Sequence, residues 1–549
     1  MPSPSLPAPP RCFWWALLAL VLIATAARAS LQFGTPLAPG INGAYYFVQA
    51  RAVLETGALG VPDLPFIFWL HAGLAWTVQT ISGIAREDAI VWAVKSADSL
   101  LPALIAWPLG LLGWRLQATR PAPSVLAALA PAALACLGAQ ALNMTGDFQK
   151  NSLALVWLAS LGLGAHSFIA APSWRTARLP LTSLALLGLT HVGVLATSLL
   201  FAACLGVGAL LTIAPESRRK LVVVAGAGGL ILTAAATLIY HAYDPVRVKR
   251  LVNALTDPAA LTSSNRVADR SPPGAVNDPR SGPGPRRGPP GSGPMQSSRQ
   301  GALVAFSAVV IAAGLWQRKK LSPADRTLIA ASALTAAAVG GPWFDGDKAM
   351  RLVPMAIVLV AVPLPFLLRL IPGRLGQGLA SILVICGSAA SAVLYLPRGG
   401  EPTIGENAFE ELRALAPLAE PTSRTLIVAR HGLEWWTAWV LHTRIAQPSA
   451  VTAEDWSKFD RVLYLVENDS PSHHGRPSPD GPPDDGDFPP PPEGNFGPGP
   501  RRGPGADPFR NRLPENARIL QKGAALTLAQ ADAPPASLTR TAGKNAPRR

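Results

Sequence analysis

Eleven apolar stretches divide this chain, with short basic clusters between them. They run over 12–30, 89–113, 122–142, 151–171, 179–190, 192–214, 220–241, 301–317, 324–342, 353–371 and 376–396. A helix rising about 1.5 Å per residue needs about 20 apolar residues to cross a bilayer core. The apolar run 179–214 is continuous but too long for one crossing, so it divides at Thr190-His191 into two short ones. The pattern predicts an all-α polytopic membrane protein with about 11 transmembrane helices. Composition agrees: charged residues make up 15% of the chain, against roughly 25% in a soluble domain that needs a polar surface. The four cysteines (Cys12, Cys136, Cys204 and Cys386) all lie inside apolar stretches, where they read as packing residues rather than a disulfide or metal framework.

The net charge of +15 would suggest nucleic acid in a soluble protein. Here Lys and Arg concentrate in short loops, and retention of positive charge on the cytoplasmic side explains them without a nucleic-acid partner. Arg11, Arg115/Arg120, Arg175/Arg178, Arg218/Arg219/Lys220, Arg318/Lys319/Lys320 and Arg369/Arg374 all fall on one side, provided that 64–83 (LPFIFWLHAGLAWTVQTISG) does not cross. That segment, which contains His71, then lies along the outer face as a juxtamembrane helix; a full crossing is the alternative. The first apolar run could pass for a signal peptide, but the later spans favour a retained helix. The expected location is the plasma (inner) membrane, with a cytoplasmic N-terminus and an extracytoplasmic C-terminus.

The outer segments are then 31–88, 143–150, 242–300, 343–352 and 397–549. Segment 242–300 is expected to be largely disordered because 271–300 is rich in Pro and Gly, and 470–549 is expected to be a Pro/Gly-rich disordered tail. Between the transmembrane domain (1–396) and that tail lies a small α/β extracytoplasmic domain, 397–469. Its strands are read at TLIVAR (425–430) and RVLYLVE (461–467), with a helix between them at 433–444.

Chemistry-bearing residues gather on the outer side. In 31–88, AYYFVQARAVLETG reads as an amphipathic helix ending at a Gly, with Tyr45 and Tyr46 suited to a membrane interface and Glu55 and Asp63 as acidic residues. In MTGDFQKN, Asp147 and Lys150 flank the start of a span, where Asp147 either caps the helix or acts in chemistry. In GPWFDGDKAMRLVP, Asp345, Asp347, Lys348 and Arg351 could hold a divalent metal ion or a lipid phosphate, or could simply form a charged turn. Lys95 and Asp98 stand one turn apart inside a span, where charge is expensive; they either neutralise each other or serve function. His191 marks the break between two spans, and His431 and Glu434 read as helix-start residues after a strand. No Walker A motif, no GxGxxG after a strand and no HExxH is present, which argues against a nucleotide-driven pump or a cytosolic dinucleotide domain.

The order of features over 12–396 resembles the C-type glycosyltransferase (GT-C) superfamily, whose protein mannosyltransferase-like and aminoarabinose transferase-like members use polyprenyl-phosphate-linked sugars. The resemblance is carried by a first helix, then GINGAYYFVQARAVLETG, PDLPFIFWLHAGLAW, AVKSADSLLPALIAWPLGLLGWRL, TGDFQKN and the Thr-His break in LGLTHVGVLATSLL. It implies an integral membrane glycosyltransferase moving a sugar from a polyprenyl-phosphate carrier to an acceptor on the extracytoplasmic face. It also implies an acidic residue just before the tyrosine-rich helix, acting as catalytic base or metal ligand; this chain has Asn42 there. The role of base then passes to Asp147, Glu55 or Asp63, with Asp147 the first choice. Lys348, Arg351 and Lys95 are candidates for the carrier phosphate, with His191, Tyr45 and Tyr46 as further substrate-binding candidates and Asp345 and Asp347 as candidate metal ligands. Two other readings stay open: a non-catalytic lipid-binding or assembly protein on the same scaffold, which Asn42 favours, and a secondary transporter. No partner beyond membrane lipid and the lipid-linked sugar is implied.

Overall fold

The computed structural model describes residues 8–117, 123–243, 294–341, 352–397, 399, 401–448, 450–468, 513–514 and 516–533. The expected disordered stretches thus fall mostly outside the described residues, as do Asp345, Asp347, Lys348 and Arg351. The chain divides into two compact units, Met1–Pro39 with Gln49–Glu401, and Gly40–Val48 with Pro402–Arg549.

The first unit is helical. Its elements are α1 (Arg11–Phe33), the second half of α2 (Gly43–Thr56), α3 (Phe66–Ser82), α4 (Arg86–Leu100), α5 (Ala106–Gln117), α6 (Val125–Leu137), α7 (Ala139–Leu142), α8 (Gln149–Ala170), α9 (Trp174–Thr190), α10 (Val192–Thr212) and α11 (Pro215–Tyr243). The helices Pro294–Trp316, Pro323–Gly340, Ala356–Ala361, Leu364–Leu370 and Arg374–Tyr395 complete it. Among the described residues seven helices are long and apolar enough to cross a membrane, or eight if the pair Val353–Ala361 and Leu364–Leu370, bent by 48°, is one span. The protein is therefore multi-pass, with a mostly helical fold. The number of such helices is smaller than the eleven stretches of the sequence because several of those form short helices such as α9, with 17 residues. Trp15, Leu22, Leu211, Leu230 and Leu383 are each more than half exposed, which suits contact with lipid rather than water.

Local chemistry sets the breaks. A capping box between Ser173 and Thr176 opens α9. His191 ends it in extended backbone and starts α10, its Nδ1 accepting the Val194 N–H at 3.2 Å. The helix break thus lies where the Thr190-His191 reading expected it. Pro102 divides the long apolar helix into α4 and α5 through a 3₁₀ turn, Pro102–Ile105. The helices α5 and α6 approach so closely at Gly113 that a Cβ there would lie 2.2 Å from the Ala128 carbonyl oxygen.

The second unit is an α/β sheet of five strands in the order β2-β1-β3-β5-β4. Strands β1 (Thr425–Ala429), β2 (Arg444–Ala446) and β3 (Arg461–Glu467) run parallel, and β4 (Ala517–Lys522) and β5 (Leu526–Ala531) form an antiparallel hairpin against β3. The two strands and the helix expected within 397–469 are present, the helix ending at Leu441. The unit does not end at 469, however: the segment expected as disordered tail supplies β4 and β5. Parallel strands buried on both faces need apolar cover. Leu426, Val428, Val462 and Tyr464 pack on one side with Trp456 and Phe459. Phe47, from the Gly40–Val48 segment, packs edge-on against Trp436 and tilted against Trp439 at ring-centroid distances of 6.2 and 5.3 Å. The Glu411 carboxylate accepts from the backbone N–H groups of Ala524, Ala525 and Leu526 at 2.8–3.0 Å, pinning the hairpin turn.

Candidate functional site

A buried polar network of the helical unit begins with a missing hydrogen bond. Pro102 has no N–H, so the Asp98 carbonyl four residues before it loses its helical donor. The Arg28 guanidinium on α1 supplies the replacement, donating from Nε to the Asp98 carbonyl at 2.8 Å. It also donates from Nη2 to the Asp98 carboxylate at 3.0 Å and from Nη1 to the Ala141 carbonyl, in the last turn of α7, at 2.9 Å. Gln32, one turn along α1, donates its side-chain amide to the same carboxylate. Arg28 is 2% exposed and the Asp98 side chain fully buried, so each charge depends on the other.

The second Asp98 oxygen accepts the Gly146 N–H at 2.8 Å. That contact anchors the loop 143–150. Gly146 holds φ +81°, and a Cβ there would collide with the Pro39 carbonyl oxygen, so glycine is required. Four residues on, Lys150 forms an ion pair with the buried Asp63, and its ammonium lies 5.7 Å from the Phe68 ring centroid. The other Asp63 oxygen accepts the Leu64 N–H at 2.7 Å. The loop is thus held at Gly146 by one buried carboxylate and at Lys150 by another. Asp147 stands between these anchors, half-buried. Tyr395, at the end of the helix Arg374–Tyr395, donates its hydroxyl to Asn143 Oδ1 at 3.0 Å.

Of the residues singled out from the sequence, Asp63, Asp147 and Lys150 come together at this loop. Lys95 does not pair with Asp98, as the one-turn spacing suggested: its ammonium donates to the Thr35 and Pro36 carbonyls at 2.8 and 3.1 Å, beside the Phe33 ring. Backbone oxygens at the end of α1 outcompete the carboxylate because Arg28 and Gln32 already occupy it. Glu55 is exposed near the end of α2, beside the buried Arg51, whose pKa burial lowers against the opposing charges of Glu55 and Glu87. Tyr45 and Tyr46 are buried, Tyr45 with its ring 4.6 Å from that of Trp435. His191 is a helix cap. His431 bonds Glu434 at 2.8 Å, and Gln447 donates to the buried Glu434 at 2.9 Å. Arg28 and Gln32 were missed by reading the sequence, although an Arg within an apolar stretch is itself a signal. Among the described residues no group of three or more His, Cys, Asp or Glu side chains could hold a metal ion.

Among solved structures, ArnT from Cupriavidus metallidurans bound to undecaprenyl phosphate matches 95% of this chain and 98% of its own, at 11% identity and a TM-score of 0.50. The chain has the ArnT fold. The same protein in the apo state matches at 12% identity over 94% of this chain and 98% of its own, with a TM-score of 0.47. No family model and no curated protein matches the chain. ArnT is an aminoarabinose transferase of the GT-C type, so its fold agrees with the resemblance carried by the order of motifs along 12–396.

Proposed function

We propose that this protein is an integral membrane glycosyltransferase that takes a sugar from a polyprenyl-phosphate carrier and transfers it to an acceptor hydroxyl on the extracytoplasmic face. The observation that carries this reading is the loop 143–150, which two buried carboxylates anchor on either side of a third, the half-buried Asp147. The ArnT fold over nearly the whole chain supports it, as does the undecaprenyl phosphate bound to that ArnT.

In this mechanism the acceptor hydroxyl oxygen attacks the anomeric carbon of the donor sugar. The bond from that carbon to the phosphate oxygen breaks, and the lipid phosphate leaves with the electron pair. Asp147 takes the hydroxyl proton, a role that requires a carboxylate within hydrogen-bond reach; Glu55 and Asp63 are the other candidates for it. The ion pair with Lys150 makes Asp63 better suited to positioning the loop. Cations must offset the phosphate charge. Lys95 and, outside the described residues, Lys348 and Arg351 take this role, with Asp345 and Asp347 as ligands if a divalent ion takes part. Tyr45, Tyr46 and His191 remain candidate substrate contacts. Retention of positive charge inside puts the ends bearing Arg115, Arg318–Lys320, Arg369 and Arg374 in the cytoplasm and the loop 143–150 and the α/β unit outside; in this proposal the membrane is the plasma membrane.

The test is transfer by the full-length protein in liposomes supplied with undecaprenyl-phosphate sugars and lipid acceptors, read as release of undecaprenyl phosphate. Activity in the wild type that is lost in Asp147→Asn supports the reading. Equal activity in both would remove Asp147 as base, and no release with any donor would count against the transferase itself.

A further inference from the structure

A second polar feature lies at the other end of the helical unit. The helix Arg374–Tyr395 has Tyr395 bonded to Asn143 at one end. Its 22 residues, at about 1.5 Å each, span about 33 Å, close to the thickness of a bilayer core. Its first residue, Arg374, is therefore near the opposite membrane face from the loop 143–150. There a cavity of about 450 Å³ opens between the turn after Trp316 and the turn joining Leu370 to Arg374. Lys320, Arg369 and Arg374 line it, with no acidic residue among the described lining side chains. Leu321, Phe366 and Ile371 form its apolar part.

Two of these cations, Lys320 and Arg374, share the cavity as like charges, and an anion between them would offset their repulsion. Lys320 and Arg374 have no carboxylate partner among the described residues. Neighbouring apolar side chains would gain nothing from a free inorganic ion, but they suit an acyl chain entering from the lipid. We infer that this cavity binds the phosphate headgroup of an anionic phospholipid from the membrane leaflet opposite the loop 143–150. Lys320 and Arg374 hold the phosphate oxygens, and Phe366 and Ile371 face the proximal acyl carbons. The site is separate from the proposed donor site, one membrane thickness away, and does not depend on the transferase reading.

The experiment is native mass spectrometry of the delipidated full-length protein titrated with short-chain phosphatidylglycerol or phosphatidylcholine, with inorganic phosphate as competitor. Lys320→Gln and Arg374→Gln alter exposed side chains and leave the helix packing intact. The control is Arg318→Gln/Lys319→Gln, in the same turn but outside the cavity lining. Phosphatidylglycerol should bind at least tenfold more tightly than phosphatidylcholine. Each cavity variant should weaken it by about fivefold, the control should leave it unchanged, and inorganic phosphate should not compete. Equal binding of the two lipids, equal weakening by the control, unchanged binding in both cavity variants, or displacement by inorganic phosphate would each overturn the proposal.

Discussion

Arg28 grips Asp98 twice, at the carboxylate that bears its charge and at the main-chain carbonyl that Pro102 leaves without a donor. One side chain therefore closes an electrostatic gap and a backbone gap at once. Removing it should leave a buried carboxylate with only neutral donors, Gln32 and the Gly146 N–H. Arg28→Met should cost about 3–5 kcal/mol, seen as a large fall in thermal midpoint in detergent.

The backbone contact of Arg28 is separable from its charge. In the Arg28→Met background, Pro102→Ala returns a helical N–H to the Asp98 carbonyl and should recover about 1 kcal/mol. In the wild type, where Arg28 already satisfies that carbonyl, the same substitution should not stabilise. A double-mutant cycle on thermal midpoints reads the difference, and equal effects in both backgrounds would contradict it.

Gly146 is the hinge between Asp98 and Asp147. Its positive φ and the nearby Pro39 carbonyl leave no space for a side chain. Gly146→Ala should cost about 1–3 kcal/mol, release the Asp98 contact and lower transfer activity in proportion to the lost fold, whereas Asp147→Asn should lower activity by about 10²–10⁴-fold, far more than any fall in its thermal midpoint accounts for. Activity and melting measured on both variants distinguish loop strain from lost chemistry.

In the α/β unit, Glu411→Ala should loosen the β4–β5 hairpin. The carboxylate bonds three successive backbone N–H groups at its turn, and its loss should cost about 1–3 kcal/mol. Hydrogen exchange of residues 517–531 should accelerate while β1 and β3 stay protected. Uniform acceleration through all five strands would mean that the sheet unfolds as one piece.

Much of the fold was legible because apolar length and punctuation carry it. The first span, the His191 break and strand β3 lie where the residue pattern put them. Strands β4 and β5 were not legible: ARILQK and LTLAQA are short and follow a long Pro/Gly-rich stretch that dominates the composition of the window. The alternation of Leu526 and Leu528, both nearly fully buried, was the available signal. At the site, the sequence pointed to Asp63, Asp147 and Lys150, and left open whether Lys95 and Asp98, one turn apart, neutralise each other or serve function. Spacing along one helix cannot reveal a donor on another helix, and Arg28 with Gln32 on α1 is the donor set that Asp98 uses. An amphipathic pattern says which residues share a face, not what covers it, so the packing of Trp435 against Tyr45 was not legible.

The most direct test of the central claim is mass spectrometry of the lipids that co-purify with the full-length protein in mild detergent. The account predicts a polyprenyl-phosphate species, carrying a sugar or free, at near-stoichiometric level. Bulk phospholipid alone, under conditions in which ArnT retains undecaprenyl phosphate, would contradict it.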